Sequence, residues 1–335
     1  MNRSNLSMRW LEIFQLVAKS GSVQAVASET GLSVSTVSHH LRSLEKALGV
    51  SLLNHARRPM VLTPSGAIFL KYVEDGLRLI RQGETEMTSG NLAEALDLRL
   101  GIVDDFDSEV APALAQFLAR AMPKCTFQHH TRPSHDIIRL LYENKIDVGV
   151  ATRPFNDISG LIEFPLLRDP FVVVVPADTR FSAENLLAGT AKLPFLRYSQ
   201  NQIIGTAIEA HLRRIRVTLP NRFELESNHA IIGMVADNSG WAITTPASYM
   251  RARRFHSRVS LLPFPGKGFT RTLSLFTTEV YPEAMADMIA STLRRLIARH
   301  FVDPIANSYA WLSSDFRLLE RPEPLVGSPP ADIPA

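Results

Sequence analysis

The chain has 335 residues, a formal net charge of +3 and an apolar content of 45%, which suits two or three domains of roughly 100 to 200 residues with real cores. A single cysteine, Cys125, excludes an internal disulfide and fits a reducing compartment, and no stretch approaches the roughly 20 apolar residues that a membrane helix needs. With no apolar signal core at its N-terminus, the chain is expected in the cytoplasm, with no membrane partner.

Trp10, Leu11, Phe14, Val17 and Ala18 give a first helix one apolar face. Ser22 caps a short helix with Val23, Val26 and Ala27 on its apolar stripe, and Gly31 supplies the left-handed residue that stops it. The next helix is capped by Ser33 or Ser35, buries Val37, Leu41, Leu44 and Leu48 on one face and ends at Gly49. Its outward face carries Thr36, His39, His40, Arg42 and Ser43, side chains suited to base edges and phosphates. Val50 to Leu62, with Arg57-Arg58-Pro59 near its tip, reads as a basic hairpin, or wing. Together these elements spell an all-α winged helix-turn-helix; the competing reading is a plain helical hairpin inside a larger core. Charge favours the former, because residues 1–66 hold seven Lys or Arg against three acidic residues while the remainder is close to neutral. The expected DNA contacts are Ser33, Val34, Ser35, Thr36, Ser38, His39, His40 and Arg42 on the helix, with Arg57 and Arg58 in the wing.

From Pro64 to about Gly90 the pattern is one long helix, with Phe69, Tyr72, Val73, Leu77, Ile80 and Met87 along a stripe. A helix of this length pairs antiparallel with the same helix of a second copy or packs on its own domain; Thr88 to Asn91 then acts as a hinge. Beyond it strands and helices alternate, the mark of an α/β sheet. Strands are expected at 98–103, 126–131 and 146–151 with helices at 111–121 and 134–143, and a fresh set follows between 171 and 245. The chain returns to the first lobe through a strand at 272–277 and a helix at 282–299.

These residues resemble the LysR-type transcriptional regulators of bacteria. The match runs through Leu11, Phe14, Ser22, the run from Leu32 to Ser38, Leu41, Leu44-Glu45, Leu48-Gly49-Val50, Leu52-Leu53 and Leu62-Thr63-Pro64-Ser65-Gly66. The sequence departs from the family's usual pattern at His39, where Arg is common, and at Leu53-Asn54-His55, where Phe-Glu-Arg is common; both changes weaken phosphate contacts. The resemblance implies a C-terminal two-lobed periplasmic-binding-protein-like (type 2) domain that senses a small-molecule effector and alters the spacing or bending of DNA. It also implies a homodimer through the linker helix, assembled into a homotetramer on an interrupted inverted repeat of double-stranded DNA, with RNA polymerase as a further candidate partner. The layout is then 1–66 for DNA binding, 67–90 for the linker helix, 91–300 for effector binding and 301–335 for a Pro-rich extension.

In such a fold the effector lies between the lobes, near strand ends and helix N-termini. The expected lining is Asp104, Phe106, Ser108, Thr131, Arg132, Ser134, Ser199, Gln200, Asn228 and Thr245. Ser134 and Asn228 have a competing role as N-caps, and Thr245 is extended by the proline after it. The acids Asp104, Asp105, Asp107 and Glu109 either stabilise a helix start near Ser108 or disfavour a carboxylate ligand unless Arg132 or Arg153 neutralises them, which points to an amine, a sugar or a divalent cation. His129 and His130 point to opposite faces of one strand, so no metal site and no cofactor are expected. No nucleophile stands beside a base and no glycine-rich phosphate loop appears, which argues against an enzyme. An effector-independent regulator is the alternative; a solute-binding receptor would leave residues 1–90 unexplained. In the extension, Tyr309, Trp311, Leu312 and Phe316 are expected to dock on their own domain or a neighbouring subunit, and the proline-rich residues from about 320 to be disordered.

Overall fold

The computed structural model describes residues 6–87, 97–155 and 158–320, and the chain divides into two units, Met1–Asn91 and Leu92–Ala335. The expected hinge at 88–91 and the proline-rich residues beyond 320 lie outside the described residues.

In the first unit, helices α1 (Met8–Ser20), α2 (Val23–Thr30) and α3 (Val34–Leu48) each end at a left-handed glycine, Gly21, Gly31 and Gly49. Ile13, Phe14, Val17, Val26, Val37, Leu41 and Leu44 interlock as its core. Strands β1 (Leu53–Asn54) and β2 (Val61–Leu62) form the wing, antiparallel, and α4 (Pro64–Met87) follows. The exit from the wing has a physical explanation residue by residue. Thr63 Oγ1 donates to Ser51 O (2.7 Å) and accepts from Gly66 N (2.9 Å), so it caps α4, and Pro64 starts the helix where its missing N–H is harmless. Gly66 lies so close to Leu52 that a Cβ there would sit 1.9 Å from the Leu52 carbonyl oxygen. On α4, Val73 and Leu77 are buried in the unit's own core, whereas Ile68, Tyr72, Leu79 and Ile80 are exposed. The long helix thus carries two apolar faces, one packed within its own domain and one open.

The second unit has two lobes. The first is a six-stranded sheet in the order β13 (Arg317–Leu318), β6 (Leu161–Pro170), β12 (Thr270–Thr278), β5 (Val148–Thr152), β3 (Asp97–Ile102), β4 (Thr126–Thr131). Its strands β5, β3 and, at the edge, β4 are parallel and linked by helices α5 (Val110–Ala121) and α6 (Ser134–Tyr142). The second lobe holds β7 (Val172–Pro176), α7 (Ala183–Leu187), β8 (Leu196–Tyr198), α8 (Ile203–Arg214), β9 (Phe223–Leu225), α9 (Asn228–Ala236), β10 (Ala242–Thr244), α10 (Pro246–Arg251) and β11 (Val259–Pro263). Two crossings join the lobes: β6 (Leu161–Pro170) runs into β7 through Phe171, and β11 leads back to β12 (Thr270–Thr278), which pairs antiparallel with β5 and β6. Helix α11 (Glu283–Ile297) passes through a π turn into α12 (Asp303–Ser308).

The apolar part of the tail docks on its own domain only in part: Leu312 and Phe316 are buried, Tyr309 is half-buried and Trp311 stays exposed, and β13 (Arg317–Leu318) adds an antiparallel strand to the edge of β6. Arg294 fixes this addition, donating to Pro165 O and Leu319 O at 2.7 and 2.8 Å. The folded unit therefore continues past position 300, because Phe301, Ile305, Leu312 and Phe316 complete the core under α11.

Candidate functional site

The first unit presents the N-terminal end of α3. Ser33 caps the helix, its Oγ accepting from Thr36 N (3.1 Å) and lying 2.7 Å from both Ser35 Oγ and Thr36 Oγ1. Of the two capping serines that the sequence allows, Ser33 does the work and Ser35 is left exposed beside Val34. His39 and Arg42 are also exposed, with His39 Nε2 3.5 Å from Ser43 Oγ. His40 is half-buried; burial first, then His39 and Arg9, push its pKa down, and its Nδ1 is enclosed without a partner among the described residues. Only its other nitrogen can reach outward. The wing is tied to the same helix by Glu45, which accepts from Leu52 N (2.8 Å), Leu53 N (3.2 Å) and His55 Nε2 (2.9 Å). At the wing tip Arg58 Nη1 bonds to the carbonyls of His55 and Arg57, and both Arg57 and Arg58 are exposed. Hydroxyls, one exposed valine and free cations on one rigid helix and its wing can meet base edges, a thymine methyl and phosphates.

The second unit has a cavity of about 160 Å³ between its lobes. Of the expected residues, Asp104, Thr131, Arg132, Ser134 and Asn228 line it. The other five do not. Phe106 is core, packed edge-on against Phe301 at 5.2 Å; Ser108 and Gln200 face solvent; Ser199 is buried and accepts from Asn201 N. Thr245 is fully buried and caps α10, accepting from Ser248 N and from Arg271. Gln202, not Gln200, reaches the cavity, because the turn closes on Ser199 O before α8 begins. Asn228 holds the cavity wall instead of offering itself freely, accepting from Tyr198 Oη and donating to Ser248 O at 2.9 Å.

Sequence reasoning missed the buried charge cluster that forms part of this cavity's lining. Arg271 on β12 donates to Asp169 of β6 (2.8 Å), to Asp105 after β3 (2.9 Å) and to Thr245 (2.9 Å), while Ser248 Oγ donates to Asp105 at 2.7 Å. Burial opposes the Arg271 charge, but the two carboxylates more than compensate and raise its pKa; burial pushes the Asp169 carboxyl up despite Arg271. At the mouth, Arg251 grips Asp107 through two bonds and reaches Asp104 at 3.2 Å. Burial and the neighbouring Asp105 still push Asp104 up to about 6. A larger hollow of about 480 Å³ adjoins, sharing Thr152, Ile203, Ile204 and Arg271 with the first. It contains none of the expected residues and no acidic side chain, so the smaller cavity is the better candidate.

Residues 8–67 match the bacterial regulatory helix-turn-helix protein model of the lysR family, and residues 93–296 match the LysR substrate binding domain. The HTH-type transcriptional regulator BbuR of Bordetella bronchiseptica is 24% identical over 291 residues, which span 85% of this chain and 89% of that protein. The hydrogen peroxide-inducible genes activator of Dickeya chrysanthemi is 24% identical over 277 residues, 81% of this chain and 88% of its own length. In fold, the chain resembles the OxyR C206 mutant of Corynebacterium glutamicum with a TM-score of 0.69 at 19% identity, covering 91% of this chain and 96% of that one. Among the described residues no helix is long and apolar enough to cross a membrane.

Proposed function

This chain belongs to the LysR family of DNA-binding transcriptional regulators, with a helix-turn-helix unit followed by an effector-binding domain, and from that premise we propose how it reads DNA and senses its effector. The N-terminal end of α3 enters the major groove, with Ser33, Val34, Ser35, Thr36, Ser38, His39, His40 and Arg42 toward the bases and phosphates, and Arg57 and Arg58 of the wing on the flanking backbone. The observation that carries this reading is the solvent-exposed start of a helix, with Val34, Ser35, His39 and Arg42 on the surface, tied to its wing by Glu45. The open face of α4, with Ile68, Tyr72, Leu79 and Ile80, pairs with the same helix of a second copy and sets two heads at a fixed spacing; two such dimers form the tetramer. An effector in the cleft shifts the balance between lobe arrangements and so the spacing or bending of the bound repeat.

A peroxide response, which the name of the Dickeya relative reports for that protein, is not carried over. Its chemistry needs a low-pKa thiolate, and burial with Asp97 and Asp147 nearby pushes Cys125, the sole cysteine, up to about 11.

The test is selection of sheared genomic DNA by the full chain, followed by binding of the enriched fragment at two salt concentrations. The reading expects one inverted-repeat site, preferred over random duplex by at least about a thousandfold, and affinity that falls steeply with salt. No enriched fragment would contradict it.

A further inference from the structure

We propose that the effector is a small apolar α-amino acid bound as a zwitterion, its carboxylate held by Arg132 with the N-termini of α6 and α8 and its ammonium by Glu226 with Asp104. This rests on the cavity between the lobes being the effector site. Arg132 and Glu226 line that cavity from different lobes, the first between β4 and α6, the second between β9 and α9. Both are exposed, and neither has an ion-pair partner among the described residues; Arg132 only donates to the Thr131 carbonyl at 2.9 Å. Most other cations near the cleft are engaged. Arg271 is bound to Asp105 and Asp169, and Arg251 to Asp104 and Asp107. The cavity therefore keeps one free positive and one free negative side chain, on opposite lips, so a ligand carrying both charges would bridge the lobes where a singly charged one leaves a lip unpaired.

The backbone reinforces this assignment. Helices α6 and α8, of nine and twelve residues, both begin at the cavity, and neither has a side-chain cap on its first N–H groups. Two uncapped helix starts at the cavity, α6 just after Arg132 and α8 on the other lobe, favour a carboxylate. Asp104 keeps a partly exposed carboxylate at the same cavity, adding to the field of Glu226. Val103, Ile203 and Ile204 supply an apolar wall for the side chain. A volume of about 160 Å³ is close to that of an engineered cavity which accepts benzene, so the ligand has roughly six to nine heavy atoms.

The experiment is calorimetric titration of the full chain with L-alanine, L-threonine, L-valine and L-leucine, and with 3-methylbutanoate and isobutylamine, which are valine lacking its ammonium and its carboxylate respectively. At least one amino acid is expected to bind, and the two analogues of valine to bind at least about tenfold more weakly than valine itself. Glu226→Gln and Arg132→Met, both at exposed positions, are each expected to weaken the amino acid about tenfold or more, with Glu226→Gln leaving 3-methylbutanoate no weaker than before. A carboxylate or amine that binds as tightly as the amino acid, with binding still lost in the Arg132 or Glu226 variant, would overturn the zwitterion and leave the cleft reading standing. Binding of an amino acid untouched by either substitution would place the site elsewhere and overturn both, as would no binding by any of the six compounds nor by a sugar and dicarboxylate set.

Discussion

The two candidate sites are assembled in opposite ways. The recognition surface comes from one short stretch, Ser33 to Arg58, in which a cap, a helix face and a tight wing set every side chain by local geometry. The cleft draws on residues from Val103 to Arg271, brought together by two crossing strands, and its buried charges, Arg271 with Asp105 and Asp169, are balanced across long stretches of sequence. A locally built surface tolerates exchange of individual contacts without unfolding. A cleft stitched by buried ions does not, so the two regions should answer mutation differently.

The sharpest way to break that contrast is Arg271→Met. It leaves Asp105 and Asp169 buried without their counter-ion, and the second unit should lose about 3–5 kcal/mol in urea denaturation. A loss below about 1 kcal/mol would mean that the cluster is not what holds the lobes. Next is Gly66→Ala, which forces a methyl onto the Leu52 carbonyl and should destabilise the first unit by about 1–3 kcal/mol, with DNA affinity falling alongside and effector binding unchanged.

The smallest effect is a pH signature. Asp104 faces Asp105 and Asp107 as well as Arg251 and Arg271, and its folded pKa of about 6 stands above the ordinary carboxylate value. The folded state therefore holds this proton more tightly than the unfolded one, so Asp104 disfavours folding above pH 6 and the penalty disappears as pH falls toward the unfolded pKa of about 4. Asp104→Asn should raise the melting temperature slightly at pH 7.5, and the gain should shrink between pH 6 and pH 4. A gain that grows on acidification would reverse the assigned sign.

What could be read from sequence follows the same division. The glycine stops, the Ser22 cap and the Thr63-Pro64-x-Gly66 exit are local devices whose meaning lies within a few residues. So are the alternating strands and helices of the second unit, most of which fall within a few residues of their expected positions. Strand β6 was not legible because Pro165 and Pro170 argue against a strand; β12 accommodates it through an irregular register at Leu273/Ser274. Arg271 was invisible for a different reason: its partners lie 102 and 166 residues away, and nothing beside it announces a buried ion. Glu45 reads as an ordinary helical acid until the wing folds back onto it. Phe106 and Gln200 show the limit of naming a loop, since the backbone sends Phe106 into the core and Gln200 to solvent while Asp105 and Gln202 reach the cavity.

The most direct test of the account is the affinity of Ser35→Glu for the DNA fragment selected by the wild-type chain. Ser35 is exposed in the first turn of α3, where an acid suits the helix dipole, so the variant should fold with unchanged circular dichroism and melting temperature. Its carboxylate would then meet the phosphates and base edges that the helix is proposed to read, and affinity for the selected fragment should fall at least about a hundredfold, toward that for random duplex. A normally folded variant that keeps wild-type affinity and preference would contradict the placement of α3 in the groove.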